Sequence, residues 1–136
     1  MTFTDAELEY LSSQRLGRLA TVASDGTLQN NPVSFRYNPE TATIDIGGHG
    51  MGASRKFRNV LAGGEVAFVI DDIASVQPWK VRGVEIRGHG EALADQPPPG
   101  PGFSGELIRV RPRRILSWGL DPAVQGMQAR TVEAAR

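Results

Sequence analysis

The stretch Ile46-Gly47-Gly48-His49-Gly50-Met51-Gly52-Ala53-Ser54-Arg55-Lys56-Phe57-Arg58-Asn59-Val60 separates two possible folds. Gly48-His49-Gly50-Met51-Gly52-Ala53 follows an apolar strand pattern (Ala42 to Ile46) and precedes a helix, with Asp71 about twenty residues on, which imitates a dinucleotide-binding fingerprint. A Rossmann unit needs crossover helices between its strands, and the chain beyond Asp71 offers strands alone. The second half of the stretch is a short helix, with Ser54 as N-cap, Phe57, Val60 and Leu61 on one face, and Gly63-Gly64 as the stop. Its first turn carries Arg55 and Lys56 where the helix dipole favours negative charge, at a cost of about 0.3–1 kcal/mol each. A bound anion reverses that sign. Glycines, a hydroxyl, two cations and the Asn59 amide together form a phosphate cradle.

Outward from this stretch, Thr4-Asp5-Ala6-Glu7 is a capping box opening a helix that ends near Ser13. Leu16 to Ala23 alternates as a strand, Ser24-Asp25-Gly26-Thr27 is a hairpin turn, and the return strand spans about Gln29 to Tyr37. Asn38-Pro39-Glu40-Thr41 turns into the third strand. Glu65 to Ile70 predicts a strand buried on both faces, and Val81 to Leu93 a long one bent at its glycines. Leu107 to Trp118 is the last strand. Residues 95–105 hold Pro97-Pro98-Pro99-Gly100-Pro101-Gly102 and form a surface loop, and 123–136 form a weakly helical, weakly ordered tail. Hairpin-length links predict a mainly β single domain over 1–136: a six-stranded antiparallel split β-barrel, three strands in meander before the second helix, with short flanking helices.

The chain has 136 residues, with Lys+Arg and Asp+Glu both 15 and 7% aromatic residues, which weighs against a nucleic-acid partner. It has no cysteine, so disulfides, thiolate metal sites and cysteine nucleophiles are excluded. No apolar run reaches the roughly 18 residues of a membrane span, and the expectation is a cytoplasmic protein without a membrane partner. Two separated histidines, His49 and His89, do not make a metal site.

Four segments together carry a resemblance: Gln29 to Arg36, Ser54 to Val60, Val81 to Gly88 and Arg109 to Ile115. In this order they resemble the flavin and deazaflavin oxidoreductases of the pyridoxamine-phosphate-oxidase-like split-barrel superfamily. The likeness runs from Leu8 to Asp121 and is nearest the branch using coenzyme F420, among reductases similar to dehydrotetracycline reductase, where Leu116-Ser117-Trp118-Gly119-Leu120-Asp121 follows the last strand. It implies hydride transfer from reduced F420 to an activated C=C or C=N bond of a small organic substrate. The alternatives are an FMN-binding oxidase or reductase, or a non-catalytic flavin, F420 or haem-binding protein.

On this resemblance Arg55 and Lys56 clamp the cofactor phosphate, assisted by Ser54 and Asn59. Asn31, Pro32, Val33, Ser34 and Phe35 lie along the ring, and Gly47 and Gly48 admit it closely. Members of the family are homodimers with sites at the subunit interface, so Gln77, Pro78 and Trp79 reach into the partner's site. His49, between glycines in this site, is either an exposed loop residue or a catalytic one that donates a proton to substrate or hydrogen-bonds the cofactor. Arg109, Arg111 and Arg113 form a solvated face, or a strip attracting the acidic tail of F420.

Overall fold

The computed structural model describes residues 1–132. Thr4 and Glu7 cap helix α1 (Asp5–Ser13) reciprocally: the Glu7 N–H donates to Thr4 Oγ1 at 3.1 Å and the Thr4 N–H to Glu7 Oε1 at 3.0 Å. Strand β1 (Leu16–Val22) follows, its Gly17, Leu19 and Thr21 buried and its alternate residues outward. Gly26, at φ +87°, makes the turn into β2 (Leu28–Ser34). The single return strand expected here is in fact two. It breaks at Phe35, and Arg36–Asn38 forms a separate strand, β3, pairing with β4 (Thr43–Ile46).

Strand β5 (Glu65–Ser75), β6 (Lys80–Leu93) and β7 (Leu107–Trp118) complete the sheet, whose order is β2-β1-β5-β6-β7-β4-β3 with antiparallel neighbours throughout. β2 and β3 stand at opposite ends of that order yet are joined through Phe35. The sheet must therefore curl until its edges meet, which is the split barrel. The expected meander is corrected by the same fact, since β2 and β4 are not neighbours. Ile44, Ile46, Phe68, Ile70, Val84, Ile86, Ile108 and Val110 fill the interior.

β5 is buried on one face only: Val66, Phe68 and Ile70 point inward, while Ala67 and Val69 are half-buried on the outer surface of the curl. In β6 the register slips between Arg87 and Gly88. A Cβ on Gly88 would lie 2.0 Å from the Arg111 carbonyl oxygen, so the bulge requires glycine. Helix α2 (Arg55–Ala62) packs on β1, β6 and β7 through Phe57, Asn59 and Val60; Leu61, expected on that face, is exposed. The tail is not helical where described. Gln128–Thr131 forms β8 on β7, and residues 133–136 lie outside the described part. No helix among the described residues is long and apolar enough to cross a membrane.

Candidate functional site: a helix start, a sheet edge and a loop-covered cavity

Ser54 caps α2 by accepting the Phe57 N–H at 3.3 Å, and its hydroxyl donates to the Met51 carbonyl at 2.6 Å. Its side chain thus shapes the helix start and has no proton to spare for an anion. Arg55 and Lys56 leave the first turn with no ion pair or side-chain hydrogen bond among the described residues, although seven arginines there pair with carboxylates. Two cations and the free N–H groups of a first helical turn make a donor set suited to phosphate. Asp25 in the β1–β2 turn feels the Arg55 charge, after the larger effect of its hydrogen bonds from Thr27, and its carboxyl is held below the ordinary range.

Asn59 does not join this set. Its amide is buried and donates to Thr21 Oγ1 at 3.0 Å and Gln29 Oε1 at 3.3 Å, while Gln29 Nε2 donates to Asn31 Oδ1 at 2.6 Å. Asn59 and Asn31 therefore tie α2 to β1 and β2. Among the described residues β2 pairs with β1 alone, so the other edge of Pro32–Ser34 has no ladder partner there. Val33 faces inward with Asn31, Pro32 and Ser34 face outward, and Phe35 meets Phe68 edge-on at 5.4 Å.

Residues 95–105 form no ladder, as expected, but they fold onto the glycine-rich approach. Gly102 O engages His49 Nδ1, Phe103 stacks on the His49 ring at 5.0 Å, and Ser104 donates to Gly48 O through its N–H at 2.9 Å and its hydroxyl at 3.0 Å. The Met51 N–H donates to Ser104 Oγ at 3.0 Å, and the Gly52 N–H to Glu106 Oε1 at 3.1 Å. A Cβ on Gly47 would be 3.2 Å from the Phe103 ring. Gly47 thus accommodates the chain's own Phe103, and His49 anchors the loop.

Beneath the loop, where the sheet edges meet, lies a cavity of about 150 Å³ lined by Ser34, Phe35, Arg36, Asp45 and Gly47, and closed by Gln96, Pro97, Pro99 and Phe103 to Leu107. It unites Ser34, Phe35 and Gly47 of the expected residues. Arg55, Lys56 and His49 do not line it. Gln77, Pro78 and Trp79 sit exposed between β5 and β6, Trp79 at 63%, and line none of it in their own chain.

The sequence reading missed Arg36, Asp45 and the loop residues of this cavity. Asp45 is buried, and accepts from Arg109 Nε and a terminal guanidinium nitrogen, both at 3.0 Å, from Asn38 at 3.0 Å and from Thr43 at 3.0 Å. Burial pushes its pKa up, but these donors together hold it below the usual carboxylate value. The arginine row of β7 is therefore not a free solvated strip: Arg109 pairs with Asp45, Arg111 with Glu91 and Arg113 with Glu65. His89 is half-buried and packs against Gly64.

No protein-family model matches the chain. It is 45% identical to 5a,11a-dehydrotetracycline/5a,11a-dehydrooxytetracycline reductase of Streptomyces rimosus, over 98% of this chain and 96% of that protein. Among solved structures it resembles an F420 reductase (TM-score 0.62, 24% identity, 83% of this chain and 98% of the other). It also resembles a putative pyridoxamine 5'-phosphate oxidase of Corynebacterium glutamicum (TM-score 0.57, 21% identity, 82% and 84%). At those identities the structural likeness speaks for the fold, and the Streptomyces enzyme for the family. The chain belongs to the family of the 5a,11a-dehydrotetracycline reductases, oxidoreductases, on a fold it shares with pyridoxamine-phosphate-oxidase-like proteins.

Proposed function

We propose that the protein is a reductase passing a hydride from reduced coenzyme F420 to an electron-poor C=C or C=N bond of a small planar molecule, as a homodimer with its sites between subunits. The observation that carries this reading is Arg55–Lys56, two cations without a carboxylate at a helix start. The reductase named among its relatives supports the reaction class, and the F420 reductase of like fold supports the cofactor.

When bound, the deazaflavin supplies the hydride chemistry, so no nucleophile–base pair is required of the protein. Arg55 and Lys56 grip its phosphate, and Ser54 holds the helix start. The unpaired edge of β2, from Pro32 to Phe35, offers backbone groups to the polar rim of the ring. Gly47 and Gly48 leave room beside it once Phe103 gives way, and Asn31 and Asn59 keep helix and strand in register. Gln77, Pro78 and Trp79 cover the partner's site and exclude water. The proton comes from solvent or from His49, whose ring must first leave Gly102. Holding two reactants in line supplies up to about 7–11 kcal/mol of barrier lowering.

FMN is the second reading, because its ribityl phosphate meets the same two cations. Fluorescence titration with F420 and with FMN separates them. We expect F420 to bind the wild type and lose at least about tenfold in affinity in Lys56→Ala, as for removal of a charged hydrogen-bond donor, with FMN binding absent. FMN binding alone, equally sensitive to Lys56, would transfer the assignment to FMN. Binding of neither would end the cofactor reading, and binding without oxidation of the reduced cofactor by any of a panel of enones and quinones would point to a carrier.

A further inference from the structure

We propose that Arg36 is the anion-recognising residue of a substrate subsite in the loop-covered cavity. The substrate class it selects is a flat, apolar, electron-poor ring bearing one acidic group, an enolate or a carboxylate. The proposal rests on the oxidoreductase reading, and identifies what that site takes.

Phe35 from the sheet joint and Pro97 and Pro99 from the loop give the cavity flat apolar walls among polar residues such as Gln96 and Ser104, with Phe103 as the cover that yields to the cofactor, so the apolar part suits a planar body. At about 150 Å³ the space is below the roughly 300–1,000 Å³ of a site enclosing a whole drug-sized ligand, and it takes one end of a ring system. Ser34, Phe35 and Gly47 form the side shared with the proposed cofactor edge, which leaves Arg36 and the loop to the other reactant.

The charge of Arg36 is what the fold leaves unanswered. Arg36 stands directly across the β3–β4 ladder from Asp45, and cross-strand neighbours share a face, so Asp45 is the natural partner for its guanidinium. Arg109 takes that carboxylate in both oxygens, and Asn38 and Thr43 add two further donors. The other carboxylate on the cavity, Glu106, accepts from the Gly52 N–H. Arg36 has no ion pair or side-chain hydrogen bond among the described residues. Arg36 lines the cavity beside Phe35, and the carboxylate across its ladder is taken by Arg109, so its planar guanidinium is left to match a planar anion presenting two oxygens.

The test uses two electron-poor naphthoquinones of nearly equal size: 2-hydroxy-1,4-naphthoquinone, an anion at neutral pH, and 2-methyl-1,4-naphthoquinone, which is neutral. The chain has no thiol for either to alkylate. Equilibrium dialysis at low salt against the full-length protein without cofactor should show the hydroxy compound binding about tenfold tighter, the size of one charge-assisted contact. Arg36→Met should remove that preference and leave the methyl compound within about twofold, and Arg36→Lys should restore part of it. Arg36 is exposed, so neither variant endangers the fold. No preference in the wild type, equal losses for both compounds in Arg36→Met, or binding of neither overturns the proposal. F420 affinity of the same preparations, read by fluorescence, is independent: quinone selectivity with no F420 binding upholds the subsite and sinks the cofactor reading, and the reverse result does the opposite.

Discussion

Lys56 and Asn59, three residues apart on α2, do opposite work. Asn59 is buried and its amide bridges Thr21 and Gln29, so Asn59→Ala strands the buried Thr21 hydroxyl and should cost about 1–3 kcal/mol in urea unfolding. Lys56 holds a charge at the wrong end of a dipole, with no carboxylate paired to it among the described residues. Lys56→Ala should therefore leave the apo-protein unchanged or stabilise it by about 0.3–1 kcal/mol, while weakening cofactor binding. A variant that loses stability along with affinity would show that Lys56 is structural. The misplaced cations were legible in the sequence because the penalty is local to one turn. The separate task of Asn59 was not, because its partners stand 38 and 30 residues away.

At the scale of elements, α1 and β8 are fastened by one ion pair. Arg130 of β8 reaches Glu7 with two guanidinium nitrogens and also donates to the Thr2 carbonyl, and the Glu7 side chain is only 2% exposed. Burial raises the Glu7 pKa, but Arg130 and the Thr4 N–H outweigh it, and the net shift is downward from the ordinary 4.5. A depressed carboxylate stabilises the fold above its unfolded pKa and loses that contribution as pH falls through the folded one. Arg130→Met leaves a buried charge unpaired and should cost about 3–5 kcal/mol at neutral pH. The difference from wild type, read by denaturant unfolding from pH 7 to pH 3, should shrink as pH falls from above 4.5, where burial without Arg130 leaves the Glu7 pKa in the variant, to below 4.5, where Arg130 holds it in the wild type. A gap independent of pH would show that Arg130 acts through packing alone. The capping box of α1 was readable from Thr4 and Glu7 themselves. β8 was not, because Gln128-Ala129-Arg130-Thr131 has no apolar alternation and becomes a strand only where β7 offers an edge.

The whole molecule is decided by closure. Alternation in β1, β6 and β7 sufficed to foresee an antiparallel barrel, but not that the second strand would divide at Phe35 to supply both edges, since that depends on where β4 lies. The same curl leaves an apolar exterior. Ala20, Val22, Leu28 and Ala67 line a shallow outer groove with Leu28 78% exposed, and Ile73, Val76, Trp79 and Val81 around the β5–β6 hairpin are 54%, 73%, 63% and 41% exposed. In the homodimer proposed above, a second copy of the chain would cover this apolar surface and set Trp79 beside the other subunit's Arg55 and Lys56. Subunit mixing distinguishes that arrangement from a site made within one chain. Lys56→Ala and Trp79→Ala homodimers should each bind cofactor poorly. If each site combines Lys56 of one subunit with Trp79 of the other, a mixed dimer holds one doubly damaged site and one intact site. Unfolding and refolding the two variants together in equal amounts makes half the dimers mixed, so about a quarter of all sites should regain wild-type affinity. If both residues serve a site in their own chain, every site in the mixture keeps one lesion, and mixing restores nothing.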